Sequence, residues 1–304
     1  MNQLAPVAYF VYNRPEHTKI SLNALKNNEL AKHTRIIIYS DAPKNYQEDK
    51  SKVSEVRDII EQIEGFKEKK IIIRDKNFGL YRNFVEGITE VCDQYGKVIV
   101  VEDDNKTSKF FLNFINDGLN MYENEKSICT INGWFFSGKN NLNETFFAGS
   151  ADTWGWGTWK RAWDNFNPDT QYLLNELKRK KMIKKFNLNN TFDYYKMLEK
   201  RHNKLNESWT IIWKASTLLK NMLSLRTSKS LVENIGFDGS GTHNKKPDNF
   251  YNDKLIYDYF INVKKIDIKE NLEAKKFFEN FYRRKNFLRL LKRPINKIFR
   301  FFGQ

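Results

Sequence analysis

The sequence Lys97-Val98-Ile99-Val100-Val101-Glu102-Asp103-Asp104 joins an apolar run to three consecutive carboxylates. An apolar, mostly β-branched run predicts a strand that is covered on both faces, as in a parallel sheet. The carboxylates would then emerge at the carboxyl end of that strand, where open α/β sheets bind ligands. Because Mg²⁺ takes one or two carboxylates together with substrate phosphates, the stretch predicts a metal–diphosphate site. The alternative is that the acidic triplet caps the next helix or faces solvent.

The first hundred residues alternate predicted strands and helices. Strands are predicted over 7–12, 35–40, 70–74 and 97–102, and helices over 16–26, 49–64 and 80–95. This alternation is typical of βαβ units and predicts an α/β fold whose mostly parallel sheet is flanked by helices. No GxGxxG sequence follows the first strand, which argues against a dinucleotide site.

Polar residues also follow the first two predicted strands. Arg14 comes just after the first strand, and Asp41 comes just after the second. The carboxyl ends of parallel strands share one edge, so we expect Arg14, Asp41 and Asp104 to line a common crevice. A cation, a hydrogen-bond acceptor and a metal-binding carboxylate suit a nucleoside diphosphate. Taken singly, Arg14 and Asp41 are equally well explained as turn residues.

Length, charge and cysteine content narrow the class of protein. The 304 residues fit one catalytic unit with a tail. Lys and Arg number 52 against 37 Asp and Glu, a formal charge of +15, which favours polyanionic partners such as nucleic acid, anionic lipid or phosphorylated substrates. Cys92 and Cys129 have neither disulfide nor zinc spacing. With no predicted secretion signal or membrane span, a cytoplasmic location is expected.

A tryptophan-rich segment follows Gly149. Trp154, Trp156, Trp159 and Trp163 fall within ten positions. Tryptophan can stack on a sugar ring, so the segment could form a sugar-facing wall. The last three also have the i, i+3, i+7 spacing of a buried helical stripe, and the two interpretations have equal weight. Trp154, which closely follows Asp152, is the better candidate for substrate contact.

Two further segments carry candidate functional residues. Glu207 precedes the amphipathic pattern that opens at Trp209, where a carboxylate could serve as a general base or could simply favour the start of a helix. The glycine-rich segment 234–243 ends in His243, which could bind a metal or a phosphate oxygen. A solvent-exposed turn is the alternative for that segment.

The carboxyl-terminal segment has a cationic, amphipathic pattern. Residues 275–304 contain ten Lys or Arg and one acid, Glu279. Apolar residues recur at helical spacing, namely Phe281, Leu288, Leu291, Ile295, Ile298 and Phe302, and the opposite face carries Lys285, Arg289, Lys292, Arg293, Lys297 and Arg300. Such a helix is typical of an anionic membrane surface. Packing on the catalytic core or a solvated tail are the alternatives.

Seven motifs in this order resemble those of bacterial sugar transferases with the GT-A fold, which are family 2-like glycosyltransferases. More distantly, the chain is similar to N-acetylglucosaminyltransferase I. The motifs, spread over about residues 5–245, are Asn13-Arg14-Pro15, Ser40-Asp41, Gly79-Leu-Tyr-Arg82-Asn, Val100-Val-Glu102-Asp103-Asp104, Trp154-Gly-Trp156-Gly-Thr-Trp159, Glu207-Ser-Trp209 and Gly236-Phe-Asp-Gly-Ser-Gly-Thr-His243.

The resemblance implies roles for individual residues. Asp104 would bind Mn²⁺ or Mg²⁺, with His243 as a second ligand, and Glu207 would be the catalytic base, although the distant relative has an Asp at that place. Inversion at the anomeric carbon is also implied. Binding of nucleotide or substrate is implied for Arg14, Asp41, Asn77, Arg82, Glu102, Asp103, Asp152, Trp154 and Trp209.

The implied protein has a GT-A catalytic domain at 1–265, with a Rossmann-like, mixed sheet, and a basic amphipathic helical tail at 266–304. It would transfer a sugar from a nucleotide-sugar donor, expected to be UDP-linked, to a hydroxyl of a glycan or lipid-linked oligosaccharide in bacterial surface polysaccharide synthesis. We expect it at the inner face of the cytoplasmic membrane, with no nucleic-acid partner. The alternatives are a nucleotidyltransferase of similar fold and a non-catalytic protein that binds nucleotide sugar or nucleic acid.

Overall fold

The computed structural model describes residues 3–44, 47–136, 140–149, 151–239 and 255–291, with all their side chains except those of residues 48 and 289–291. His243 lies outside the described residues. Within them, no helix combines the length and apolarity needed to span a bilayer.

The described strands and helices follow the order expected for an α/β fold. The strands are β1 (Val7–Val11), β2 (Arg35–Ser40), β3 (Glu68–Ile73), β4 (Lys97–Glu102), β5 (Asn105–Thr107), β6 (Ile128–Asn132), β7 (Thr145–Gly149), β8 (Trp156–Trp159), β9 (Leu223–Thr227) and β10 (Val232–Asn234). The helices are α1 (Pro15–Lys26), α2 (Gln47–Gln62), α3 (Gly79–Tyr95), α4 (Phe111–Met121), α5 (Lys160–Trp163), α6 (Thr170–Arg179), α7 (Ile183–Phe186), α8 (Tyr194–His202), α9 (Trp209–Leu219) and α10 (Leu272–Leu291).

Eight of the described strands form one mixed sheet in the order β3-β2-β1-β4-β8-β6-β9-β7. The pairs β1–β2, β2–β3, β1–β4 and β6–β9 are parallel, whereas β8 and β7 pair antiparallel with their neighbours. The predicted α/β class, with a mixed and mostly parallel sheet flanked by helices, is confirmed. Strands β2 and β4 have the predicted bounds, because an apolar, β-branched run is a local signal.

Helices cover both faces of the sheet around β1. The side chains of adjacent strand residues point to opposite faces. Accordingly the hydroxyl of Tyr9 donates to the carbonyl of Thr18 in α1 at 3.4 Å, whereas Phe10 stacks on Phe84 of α3 at 4.0 Å between ring centroids. This two-sided cover explains why β1 and the four central residues of β4 are apolar.

The tryptophans after Trp154 belong to the core. Trp156 and Trp159 lie in β8, which pairs antiparallel with β4, and Trp163 ends the short helix α5. All three side chains are buried. They therefore fill the core, as one of the two interpretations predicted, but from a strand and a short helix instead of one helical stripe.

The first part of α10 packs on the main core. Phe281 lies 3.7 Å from Phe136 between ring centroids, and Phe277 stacks on Phe135 at 5.3 Å. Lys285, which was expected on the cationic face of a membrane-surface helix, is only 3 % exposed. For this stretch the core-packing alternative holds, because an apolar stripe can be covered by protein as well as by lipid. The boundary at residue 265 and the membrane contact of later residues stay predictions.

Candidate active site

A cleft of about 140 Å³ opens at the carboxyl ends of β1, β2 and β4. The register of the sheet places these ends next to one another, since Phe10 of β1 pairs with Tyr39 of β2 on one side and with Glu102 of β4 on the other. The charged and amide side chains that line the cleft are Asn13, Arg14, Asp41, Lys44, Asn77, Asn83, Glu102, Asp103 and Glu207. Six of the predicted site residues therefore meet in one place.

Arg14 joins the two aspartates that follow β4. Its guanidinium makes two hydrogen bonds to Asp103, one of them from Nε to Oδ2 at 3.3 Å, and Nη1 donates to Oδ2 of Asp104 at 3.1 Å. Burial acts to lower the pKa of Arg14, but Asp103 and Asp104 outweigh it and raise that pKa. Burial also raises the pKa of Asp103, and the charge of Arg14 opposes this rise. Arg14 thus fixes both carboxylates and offsets part of their charge.

Glu102 adds a third acid to this cluster. It is the last residue of β4 and lies half-buried in the lining of the cleft, and its carboxylate accepts no hydrogen bond from the described residues. Burial, followed by the charges of Asp104 and Asp103, raises the pKa of Glu102 well above its ordinary value. The cluster therefore concentrates negative charge that a single arginine offsets only in part.

Asp104 is held from the side opposite to Arg14. Its Oδ1 accepts from the side-chain amides of Asn105 at 2.7 Å and Asn234 at 3.5 Å. Pairing of β10 with β5 brings Asn234 to this place, and Gly236 follows against the carboxylate. A Cβ at Gly236 would lie 2.5 Å from Oδ2 of Asp104 and 3.1 Å from Nη1 of Arg14, so only glycine fits without movement.

The charges of the cleft fit a divalent cation. Four carboxylate side chains line its described part and that of Asp104 adjoins them, whereas the cationic lining residues are Arg14 and Lys44. Since a diphosphate is itself an anion, its approach to this excess of acids requires a compensating cation. The described residues hold no cluster of three metal-ligating side chains. A Mg²⁺-like ion needs only one or two carboxylates and completes its shell from phosphate and water.

Asp41 organises the wall of the cleft opposite the acidic cluster. Its carboxylate accepts backbone N–H groups from Ala42 at 2.9 Å, Phe78 at 2.8 Å and Gly79 at 3.0 Å. Burial raises the pKa of Asp41, and these three bonds oppose the rise. Asn77 donates to the carbonyl of Ala42 at 2.6 Å. Asp41 thus ties the end of β2 to the start of α3 while its side chain still lines the cleft.

Glu207 reaches the cleft from the loop before α9. Ser208 is the residue that caps this helix, accepting the N–H of Ile211 at 3.4 Å, so the cap does not use Glu207. Glu207 is exposed, and its Oε2 would lie 3.2 Å from a Cβ at Gly79. Gly79 has a φ of 71°, a backbone conformation that favours glycine. Glycine at this position leaves space for the carboxylate of Glu207.

The remaining predicted site residues lie outside the lining of this cleft. Trp209 is 2 % exposed and stacks on Phe84, so it belongs to the core. Arg82 is exposed, pairs with Glu86 at 2.6 Å and covers the ring of Phe78. Both residues therefore stabilise α3 and its surroundings, and their predicted contact with substrate does not follow from this placement.

Asp152 and Trp154 lie beyond the acidic cluster. Asp152 is paired with Lys214 at 3.0 Å and with Arg226 at 2.5 Å, away from the cleft. Burial acts to raise the pKa of Asp152, but these two cations lower it to about 2. Trp154 is half-buried and packs edge-on against Phe237, whose neighbour Gly236 contacts Asp104. Trp154 thus lies near the acidic cluster, whereas Asp152 belongs to a separate ion cluster.

Sequence reasoning missed several residues of the site. Lys44 and Asn83 line the cleft. Asp49 accepts from Asn13 at 2.6 Å and from the backbone of Lys44 at 2.6 Å, which ties the loops after β1 and β2 together. Lys44 was findable, because it closely follows a strand end. No such indication was present for Asp49, because acidic residues are common near the start of a helix, where the helix dipole favours them.

Comparison with known proteins gave structural similarities only. No family model and no curated protein matches the chain. Mannosyltransferase PcManGT from Pyrobaculum calidifontis, in complex with GDP-Man and Mn²⁺, is 10 % identical over 44 % of this chain, with a TM-score of 0.33. Residues 1–349 of S. aureus TarS are 12 % identical over 75 %, with a TM-score of 0.38. A second TarS structure is 13 % identical over 75 %, with a TM-score of 0.36. The match covers 35 %, 59 % and 36 % of these three chains, respectively.

Proposed function

We propose that this chain is a metal-dependent, inverting glycosyltransferase that moves a sugar from a nucleotide-sugar donor to an acceptor hydroxyl. The observation that carries the proposal is one cleft that unites Arg14, Asp41, Glu102, Asp103 and Glu207 from distant segments. The acidic cluster suits a cation–diphosphate group. The isolated, exposed Glu207 across from it suits a base for an incoming hydroxyl.

The donor end of the cleft is assigned from its chemistry. Asp41 is an acceptor whose geometry is fixed by three backbone bonds, so it can orient a ribose or base N–H or O–H group. Asp104 and the neighbouring carboxylates would hold Mn²⁺ or Mg²⁺, which offsets the charge that develops on the departing diphosphate. Arg14 keeps Asp103 and Asp104 oriented. A UDP-linked donor is proposed from the motif resemblance.

The transfer step needs one base and no covalent enzyme intermediate. The acceptor oxygen forms a bond to the anomeric carbon while the bond from that carbon to the diphosphate oxygen breaks. The hydroxyl proton passes to the carboxylate of Glu207, and the electron pair of the broken bond leaves with the diphosphate. A single in-line displacement of this kind inverts the anomeric centre.

The acceptor and cellular place belong to the same proposal. The acceptor is the hydroxyl of a glycan or a lipid-linked oligosaccharide of a bacterial surface polysaccharide. The protein would act at the inner face of the cytoplasmic membrane. The exposed Phe287 and Leu288 late in α10 support peripheral contact, since they follow Arg283 and Arg284, which are also exposed.

A donor screen followed by three variants tests the proposal. Nucleotide sugars are tested with Mn²⁺ for a rise in melting temperature, because a ligand of the native state stabilises it. With the donor found, Asp104→Asn should abolish both donor stabilisation and transfer. Glu207→Gln should abolish transfer but keep donor stabilisation, and the matched control Glu199→Gln, an exposed acid outside the cleft, should keep both. Normal turnover by Glu207→Gln, or no stabilisation by any nucleotide sugar, would contradict the proposal.

A further inference from the structure

An open depression of about 550 Å³ lies on the surface between α8 and the second half of α10. We call it the α8–α10 depression. Its charged and amide lining residues, among those described, are Asn187, Asn190, Asp193, Lys196, Lys200 and Asn286. None of them lines the catalytic cleft, so the depression is a separate feature of the surface.

Two contacts fix α10 against the segment that leads into α8. The side-chain amide of Asn286 donates to the carbonyl of Thr191 at 2.8 Å. The ring of Phe192 packs edge-on against that of Tyr282, with 4.9 Å between the centroids. The lysines of α8 and the exposed side of α10 therefore belong to one surface whose parts hold fixed relative positions.

This surface is strongly cationic. Residues 178–204 contain ten Lys or Arg and only two acids, Asp193 and Glu199. Lys196 and Lys200 lie one turn apart on α8, are exposed, and form no ion pair with any residue that the structure describes. The carboxylate of Asp193 caps α8 by accepting the backbone N–H of Lys196 at 3.2 Å. Two ammonium groups thus remain available to an anion at the depression.

An unusual turn displays an amide at the same place. Leu188, Asn189 and Asn190 have φ angles of 47°, 53° and 62°, so three successive residues with a Cβ adopt left-handed backbone. Such conformations are unfavourable and concentrate where a protein binds ligands. The side chain of Asn190 is exposed and has no hydrogen-bond partner within the described part of the chain. It can therefore donate to and accept from a bound polar group.

The adjoining side of α10 adds apolar groups to these charges. Phe287 and Leu288, which follow Asn286, are 60 % and 37 % exposed. The exposed Arg284 lies three and four residues before them, hence on the same side of the helix. Residues 292–304 add four Lys or Arg and no acid. Cations next to exposed apolar side chains suit an anionic bilayer, whereas a soluble polyanion offers the apolar groups no partner.

We propose that the α8–α10 depression binds the headgroup of an anionic phospholipid. Lys196 and Lys200 pair with the lipid phosphate, and Asn190 hydrogen-bonds to a phosphate oxygen or a headgroup hydroxyl. Phe287 and Leu288 then enter the boundary of the acyl chains. This inference rests on the membrane contact in the proposed function and gives it a lipid class and a site, but it does not depend on sugar transfer.

The test compares lysines at the two edges of the sheet. Just before α10, the N–H of Asn271 bonds to β7 at one edge, whereas the exposed Lys32 and Lys67 precede β2 and β3 at the other. The probe is a phosphatidylcholine vesicle with or without phosphatidylglycerol, in a flotation assay at physiological salt. The double variant Lys196→Gln/Lys200→Gln should bind anionic vesicles about thirtyfold more weakly, because each lysine near an anionic surface contributes about fivefold. Lys32→Gln/Lys67→Gln should bind as the wild type does.

An uncharged pair of variants separates a specific site from general attraction. Asn190 and Asn221 are both exposed and have φ angles of 62° and 54°, but only Asn190 lines the depression. Since glycine adopts positive φ readily, neither Asn190→Gly nor Asn221→Gly should lower the melting temperature. Asn190→Gly alone should weaken binding to the anionic vesicles, by about fivefold for one hydrogen bond.

Several results would overturn the headgroup site. They are equal binding of the wild type to vesicles with and without phosphatidylglycerol, equal losses in the two lysine double variants, and equal binding by the two glycine variants. A gel shift of nucleic acid that Lys196→Gln/Lys200→Gln abolishes would overturn the lipid assignment in favour of nucleic acid. Donor stabilisation should be the same in this variant and in the wild type. Its absence from the wild type would count against the proposed function and not against the lipid site.

Discussion

Replacement of Gly236 by alanine should damage transfer while leaving the fold in place. The new Cβ would lie 2.5 Å from Oδ2 of Asp104, whereas ordinary contact begins at 3.4 Å. The carboxylate or the segment carrying residue 236 must therefore move by about 0.9 Å, and a misplacement of about 1 Å at a reacting group costs about a hundredfold in rate. We expect kcat/KM for transfer to fall by about this factor.

The assay compares transfer kinetics with thermal stability. Gly236→Ala should shift the melting temperature little, because overpacking at one methyl group costs about 1 kcal/mol. Gly96→Ala is the control: Gly96 has a φ of 75° with no atom within 4 Å of a new Cβ, so this variant strains the backbone far from the cleft. It should lose stability and retain transfer. Full activity of Gly236→Ala, with Cβ accommodated, would refute the view that Asp104 must hold its place.

Three further predictions concern packing and charge. Asp152→Asn should lower the free energy of unfolding by about 3 kcal/mol, because it leaves buried cations without their carboxylate. Since the pKa of Asp152 is lowered to about 2, the carboxylate stabilises the fold fully above about pH 4, and this stabilisation is lost as the pH falls towards 2. Acid denaturation curves of the variant should therefore lack this loss. Trp209→Ala should lower the free energy of unfolding, measured by urea denaturation, by about 3–5 kcal/mol, as expected for a core aromatic side chain. A stable variant with weakened donor binding would instead indicate that Trp209 contacts the ligand. A chain ending at Leu291 should stay folded and bind anionic vesicles more weakly in a flotation assay, because it keeps Phe287 and Leu288 but lacks the later apolar and basic residues. A chain ending before Leu272 should instead be destabilised, because it uncovers Phe135. Unchanged vesicle binding by the first chain would refute the membrane role of the last residues.

Local sequence signals were sufficient for the first four strands of the sheet and for part of the lining of the cleft. β4 and its acidic end were predictable because a β-branched, apolar run specifies a buried strand wherever it occurs. Arg14 and Asp41 could be placed beside the acids because parallel strands bring their carboxyl ends to one edge. In the structure Arg14 and Asp41 line one cleft, and Arg14 is hydrogen-bonded both to Asp103 in that lining and to Asp104 beside it.

The rest depended on contacts between residues far apart in sequence. Trp209 and Trp154 each have another tryptophan within four positions, yet Trp209 is buried against Phe84 and Trp154 lies near the acidic cluster. The apolar stripe of α10 would look the same whether lipid or Phe136 covered it. The sequence by itself thus determined the first four strands and the polar groups that follow three of them. Only the tertiary structure decided which side chains are buried and which charges are paired, because burial and pairing depend on what the rest of the chain packs against each face.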